Sequence, residues 1–485
     1  MNLIINGFHK DQYFPVILYI TDRLKPSKCH VIFETNRVAL NVETQYYACA
    51  VLSHEYSYST PEDELLPVGA DLLRDLSDCE GVVLKMMERD EIRGEWSYNK
   101  RKSVYLKHLR YWNHVIETDD IGYFLSSNIP HVVYDYIIYS LCIRKGIPTI
   151  FFYQFQPGLS FFMRDWKDPT PGIVKLFERR SAEKNLNLSD RMEREWQTYA
   201  VSAENKKPFY MMNSIPDLLN EPSLNKISLL RRLVRVIFFK PWRLIGFLFT
   251  FRRKLHNYLS LFQRMLDQKR IMQIDNFYRS RCVDPVPNEK YIYLPLHLQP
   301  EMSTSPMAGV FVDQVLIAQM LNAYLPKNCY IYIKEHPNQD LKYRDESFYG
   351  TLASLKSVRL ISRDYDTFEL IQGCTAVATC TGTAGWEALL KGKIVLLFGY
   401  TFYQDAPGVF KIRSVEDCRD ALHRIFDSSL SINVDRIRPF LKALEDYAFF
   451  GNIDPDYMLD GEIDWQSNID RICKSIDRLL ISNHS

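Results

Sequence analysis

Tyr291-Ile-Tyr-Leu-Pro-Leu-His297-Leu-Gln299-Pro300-Glu301, then Ile331-Tyr-Ile-Lys334-Glu335-His336-Pro337, then Thr379-Cys-Thr381-Gly382-Thr383-Ala-Gly385-Trp-Glu387-Ala-Leu-Leu-Lys-Gly-Lys393: these three runs decide the fold. Each is an apolar, β-branched or aromatic stretch that breaks into polar or glycine-containing residues. A parallel strand looks like this when it delivers a loop to the carboxyl edge of a sheet, where open α/β sheets bind their ligands. Three such loops in about a hundred residues predict one nucleotide-handling half.

Around these runs the βαβ order continues. Strands are expected at Tyr291–Leu296, Tyr330–Lys334, Val358–Ile361, Ala376–Cys380 and Ile394–Phe398. Helices are expected at Val310–Tyr324, Thr367–Gly373, Ala384–Leu390 and Val415–Phe426. The first part of the chain repeats the rhythm, with strands read at Leu3–Asn6, His30–Glu34, Gly81–Met86, His114–Glu117 and Pro148–Tyr153. A helical face of Val132, Tyr136, Tyr139 and Ile143 stops at Lys145-Gly146. Between the two parts the rhythm lapses into charged helix formers. The expected organisation is therefore an N-terminal Rossmann-like α/β domain over 1–177, a helical connector over 178–282, a C-terminal Rossmann-like α/β domain over 283–431 and a helical tail over 432–485.

The 485 residues exceed one typical core. A 46% hydrophobic and 25% charged composition is that of a folded globular chain. The ten cysteines are scattered, with no CxxC spacing, which fits a reducing cytoplasm. The first residues, Met-Asn-Leu-Ile-Ile-Asn-Gly, read as a strand and not as a signal peptide. The net charge of +1 conceals an asymmetry: no acidic residue lies between Glu221 and Asp267, while ten lysines and arginines do. Within that interval Leu229–Lys254 mixes cations with Trp242, Ile237, Phe238, Phe239, Phe247, Phe249 and Phe251. Its longest uncharged run, Leu244–Phe251, is far short of the roughly 20 apolar residues a spanning helix needs. A basic amphipathic segment of this kind suits an anionic membrane surface better than nucleic acid, with Arg231, Arg232, Trp242, Arg252 and Arg253 as contacts. The competing reading is a basic helix pair packed on the protein.

The candidate site residues sit on the strand-end loops. Thr381, Gly382 and Thr383 open a helix whose positive end attracts phosphate. Glu387, on the first turn, is placed for ribose hydroxyls. Lys334, His336 and Pro337 end another strand, and the imidazole is a donor for phosphate oxygen. His297, Gln299 and Glu301 begin a long polar loop that enters the cleft. In the first half, His131 and Asp135 are four apart near a helix start, and Asp135 is the first choice for a general base. Glu117, Asp119 and Asp120, read as ending the preceding strand, are its rivals.

Together, the Gln299-Pro300-Glu301 loop, the His336-Pro337 pair and Gly385-Trp-Glu-Ala-Leu-Leu-Lys-Gly392 resemble bacterial capsule polysaccharide biosynthesis proteins. The resemblance covers about 290–400 well and 114–160 more loosely. It implies two Rossmann-like domains of the GT-B type and transfer of a sugar from a nucleotide sugar to a glycan or lipid-linked acceptor. The His-Pro pair and the hydroxyl turn are also similar to those of CMP-sugar transferases, including bacterial sialyltransferases and Kdo transferases of capsule assembly. That similarity implies phosphate contacts for His336, Thr381 and Thr383, and favours a CMP-activated acidic sugar as donor. The sialyltransferases' acidic-acidic-glycine motif has only an imperfect counterpart in Asp119-Asp120-Ile121-Gly122. No DxD-type metal site stands out, so neither a metal nor another cofactor is expected. The expected location is the cytoplasm, at the inner face of the membrane. Rival readings are a sugar-nucleotide epimerase on the same fold and a non-catalytic scaffold of capsule assembly.

Overall fold

The computed structural model describes residues 1–201 and 267–481, except 9, 56–57, 90–95, 157–158, 184, 428–429, 431 and 454–463. Leu229–Lys254, with the five proposed membrane contacts, lies outside the described residues. Among the described residues no helix is long and apolar enough to cross a membrane.

Two sheets organise the chain. The first joins β1 (Asn2–Asn6), β2 (Lys28–Phe33), β3 (Glu43–Ala48), β4 (Ile121–Ser126), β5 (Thr149–Gln156) and β6 (Leu159–Met163) in the order 3-2-1-4-5-6. Strands β1 to β5 are parallel, and β6 turns back antiparallel on β5. The second joins β7 (Lys290–Pro295), β8 (Cys329–Lys334), β9 (Val358–Ile361), β10 (Ala376–Thr379), β11 (Ile394–Leu397) and β12 (Val409–Lys411), all parallel, in the order 9-8-7-10-11-12. Both orders reverse direction beside their first strand. The switch points therefore fall between β1 and β4 in one sheet and between β7 and β10 in the other. The central strands β7, β8, β10 and β11 are buried almost throughout, as strands covered on both faces by helices must be.

The second half matches the expected strands and the helices at Thr367–Gly373, Thr383–Leu390 and Val415–Asp427 closely. The first half corrects two strands. Gly81–Met86 belongs to the helix Ser77–Met86, whose buried Cys79, Val83 and Met86 recur at helical spacing. His114–Glu117 belongs to the 21-residue helix Tyr98–Thr118, started by the Ser97 cap on the Lys100 amide. The strand there is β4, hidden in the sequence by Gly122. A Cβ on that glycine would lie 2.1 Å from the Met1 side chain, which is exposed and free to move aside.

The tail returns to the first half. Helix Ile437–Tyr447 packs on helix Ile173–Ser181, with Phe177 against Phe440. Strand β13 (Phe449–Phe450) then extends the first sheet beside β6. Helix Trp465–Ile481 lies on Phe14–Leu24, where Asp477 pairs with Arg23 at 3.0 Å. One apolar core runs between the halves along a seam of aromatic rings. Phe155 stacks on Phe402 at 4.4 Å between centroids, and Trp166 meets Tyr400 edge-on at 5.2 Å.

Candidate functional site

At the second switch point β7 delivers His297 and β10 delivers Thr381. The Thr381 amide donates to His297 Nε2 at 3.1 Å, and the Thr379 hydroxyl lies 3.3 Å from the same nitrogen. Nε2 is thus an acceptor, which puts the ring proton on Nδ1. Burial, with the charges of His336 and Arg344, lowers the His297 pKa to about 3, so the ring stays neutral. The Thr381 hydroxyl donates to the Ser303 carbonyl at 2.8 Å. Gly382 passes so close to this pair that a Cβ would lie 2.9 Å from the Thr379 hydroxyl and 3.0 Å from His297 Nε2. Thr383 stands exposed at the start of helix Thr383–Leu390. Glu387 is buried one turn further in.

The loops are braced from beneath by an ion pair the sequence did not single out. Glu335 and Arg344 are both fully buried, with Arg344 Nε 2.8 Å from a Glu335 carboxylate oxygen. The Tyr349 hydroxyl donates to the same carboxylate at 2.6 Å. Arg344 then reaches across to the His297 carbonyl at 3.0 Å and to the Gln299 side-chain oxygen. Gln299 is held further by Gln339 and by the Val312 carbonyl, each at 2.8 Å. Burial raises the Glu335 pKa, but attraction to Arg344 outweighs it and the carboxyl sits below the usual range.

His336 follows on the next strand end. Its Nδ1 accepts the Asn338 amide at 3.2 Å. Burial lowers its pKa to about 4, so the neutral ring carries its proton on Nε2. That N–H has no hydrogen-bond partner among the described residues. Lys334 differs: its ammonium turns under the sheet edge to the Tyr365 carbonyl at 2.9 Å and the Arg363 carbonyl at 3.3 Å. Pro337 and Glu301 are exposed, and Glu301 accepts from the Ser303 hydroxyl.

At the first switch point, Asn6 ends β1 and Ser126 ends β4. The Asn6 amide donates to Ser126 Oγ at 3.2 Å and to Asp135 Oδ2 at 3.3 Å. Gly7 follows in the left-handed region, where a Cβ would lie 1.9 Å from Ser127 Oγ. Asp135 caps helix Val133–Lys145 by accepting the Val132 amide at 2.9 Å. It is 3% exposed, and burial raises its pKa to about 8 against the pull of the Val132 amide and the Arg89 charge. His131 Nδ1 lies 2.6 Å from the Ile129 carbonyl, and burial with Arg89 lowers its pKa to about 4.

The rival bases are placed elsewhere. Glu117 and Asp119 close helix Tyr98–Thr118, and Asp120 precedes β4. All three therefore lie at the amino edge of the sheet, opposite Asn6, Ser126 and Asp135. Glu117 pairs with Lys145, Asp119 with Lys28 and His30, and Asp120 with the Met1 ammonium. The misread strand at His114–Glu117 had put them at the wrong edge.

The two switch points meet through Arg89. Its guanidinium donates to the His131 carbonyl and, at 2.7 Å, to the Ser305 carbonyl. Neither Arg89, Arg344 nor Asn6 carries a sequence signal, because each is recognisable only by what the fold brings to it.

Two Rossmann-like halves with facing switch points make this a GT-B type α/β protein. Over residues 256–432 the chain matches the family model described as capsule polysaccharide biosynthesis protein, which carries the family resemblance for that part of the sequence. No curated protein matches the sequence. Among solved structures it is similar to the β-Kdo 2,7 transferase KpsC of Thermosulfurimonas dismutans, at 11% identity over 84% of this chain and 97% of that one, with a TM-score of 0.33. It is also similar to the UDP-GlcNAc 2-epimerase of Methanocaldococcus jannaschii in complex with UDP-GlcNAc and UDP, at 11% identity over 92% and 100%, with a TM-score of 0.28. These scores are low, and the fold assignment rests on the strand orders.

Proposed function

We propose that the protein is a glycosyltransferase of capsule-type surface polysaccharide synthesis. Its second half takes a nucleotide sugar, and its first half presents a glycan or lipid-linked acceptor. The observation that carries this is the neutral His336 with its Nε2–H available at the carboxyl edge, inside the segment that matches the capsule family. An imidazole of this kind donates to a phosphate oxygen without adding charge. Thr383, exposed at the positive end of its helix, is the second phosphate contact. Thr381 has its hydroxyl committed to Ser303 and shapes the turn instead.

In the proposed step the acceptor oxygen bonds to the anomeric carbon as the bond to the nucleotide phosphate breaks. The phosphate leaves with the electron pair, steadied by His336 and the helix end. The acceptor proton passes to Asp135, whose raised pKa suits a group that must take it. A CMP-activated acidic sugar remains the favoured donor. The test is thermal shift with CMP, CDP, UDP and GDP, since a ligand of the native state raises Tm. A shift with CMP that His336→Ala removes supports the reading, and no shift with any of them sinks it. Turnover of a UDP-sugar without acceptor would replace it with epimerisation.

We also propose that Leu229–Lys254 holds the enzyme at an anionic membrane surface. Binding to phosphatidylserine vesicles should weaken as salt screens the cations. Replacing Arg231, Arg232, Arg252 and Arg253 with Glu should release the protein while leaving nucleotide binding intact. A wild-type protein that ignores such vesicles at low salt would refute this.

A further inference from the structure

Arg89 ends a helical segment, Ser77–Met86 continued by Met87–Arg89, that belongs to the first half. One guanidinium edge serves the carbonyl of His131, just before the Asp135-capped helix. The other serves the carbonyl of Ser305, in the loop whose Ser303 carbonyl receives the Thr381 hydroxyl. A single planar group thus joins the surroundings of the candidate base to those of the phosphate turn. Four residues earlier on the same face, Lys85 approaches Asp313 of the second half at 3.5 Å. The two halves are therefore tied in two different ways. Along the aromatic seam the buried Phe402 and Trp166 pack against the half-buried Phe155 and Tyr400, a contact that cannot part without exposing apolar surface. Along the Lys85–Arg89 edge the contacts of Arg89 with Ser305 and of Lys85 with Asp313 are polar, and water can replace them.

We propose that Arg89 is a positioning residue: it is the catch of a cleft that hinges on the Phe155–Phe402 seam, setting the acceptor loop in register with the donor loop. It acts through two backbone carbonyls and touches no reacting atom. The inference rests on reading the cleft as the place where donor and acceptor meet. Arginine suits the task because its rigid fork spans two acceptors at once. A lysine ammonium keeps the charge but lacks the fork.

The test is amide hydrogen exchange on the full chain, which needs no knowledge of the sugar. In Arg89→Ala the amides of 301–305 and 131–136 should exchange about tenfold faster or more, the order expected when a charged hydrogen bond is lost from the closed form. Amides of β7 and β10 should not change, and Tm should hold. Arg89→Lys should restore protection at one loop at most. Guanidinium at roughly tens of millimolar should restore it at both loops in Arg89→Ala, where sodium at equal ionic strength does not. Unchanged exchange at both loops, or full restoration by Arg89→Lys, would overturn the catch. Should Arg89→Ala not fold, Arg89→Lys is read alone, and wild-type protection in it overturns the catch equally. CMP affinity is measured alongside. A wild-type protein that binds none of CMP, CDP, UDP and GDP would sink the nucleotide reading and leave the exchange result standing.

Discussion

Two buried carboxyls, one in each half, are shifted in opposite directions. Glu335 lies under the second switch point and is held ionised; Asp135 lies at the first and is pushed towards its neutral form. Burial raises both. What differs is the partner. Glu335 has a guanidinium at 2.8 Å and a tyrosine hydroxyl at 2.6 Å. Asp135 has backbone amides, one asparagine and only the more remote charge of Arg89. The second half uses its carboxyl as a brace that fixes loop geometry. The first half keeps one able to gain or lose a proton near neutrality, which structural pairs rarely do and acid–base sites often do.

The sharpest way to break this contrast is Asp135→Asn. Asparagine can still accept the Val132 amide through its side-chain oxygen, but it cannot take a proton. Transfer should fall by roughly 10²–10⁴-fold while CMP binding persists. Wild-type turnover should rise with pH towards a plateau above about 8 as the carboxylate form fills. Stability has the opposite trend. Asp135 binds its proton more tightly folded than unfolded, so its favourable contribution is whole below the unfolded pKa and is lost as pH rises through about 8. Asp135→Asn should therefore gain stability on the wild type across that range. Full turnover in a folded Asp135→Asn would move the base elsewhere in the first half.

Glu335→Gln comes next. It strands Arg344 as an uncompensated buried charge, a loss of about 3–5 kcal/mol by urea unfolding. The pH trend should be the mirror of Asp135. A depressed carboxyl gives stability that is present above its unfolded pKa and lost as pH falls through the folded one. If Glu335→Gln costs under about 1 kcal/mol, the brace is an ordinary surface-like pair and the contrast fails.

His336→Ala tests the site that the brace supports. It removes one neutral donor to phosphate, so CMP binding should weaken by about 1–3 kcal/mol, with Tm in the absence of nucleotide little changed. Because the His336 pKa is about 4, wild-type affinity should show no step from this histidine between pH 6 and 8. A histidine step near 6.5 would mean the ring binds as a cation.

The same contrast explains what could be read from the sequence. In the second half each strand is a short apolar run that ends in its own polar loop, so β7 to β11 and their loops are visible residue by residue. In the first half the helices Ser77–Met86 and Tyr98–Thr118 contain Val-Val-Leu and Val-Ile runs that imitate strands, and the real strand β4 carries a glycine. Misplacing that strand by about one element reversed the edge on which Glu117, Asp119 and Asp120 were expected. Asp135 and His336 stood out because they follow a proline or precede one at an element boundary. Glu335, Arg344, Asn6 and Arg89 did not, because a brace or a bridge is defined by residues distant in sequence. Lys334 and Gln299 looked like ligand groups from their loops, yet their polar ends turn inward to the scaffold.

The smallest expected effect separates the two cations of the first half's edge. Lys85 meets Asp313 at 3.5 Å, with Asp313 well exposed, and is shared with Glu88 at 3.0 Å. An ion pair so wetted contributes only about 0.2–1 kcal/mol, and salt screens it further. Lys85→Met keeps most of the aliphatic stem and removes the charge. Its stability should differ from the wild type by less than about 1 kcal/mol, and the difference should vanish in roughly 0.5 M salt. Exchange of the 301–305 amides should stay at the wild-type rate, because Ser305 is held by Arg89 and not by Lys85. If Lys85→Met instead loosens that loop as much as Arg89→Ala, the edge works as a diffuse field of positive charge. The fork geometry of Arg89 would then hold no special place in joining the halves.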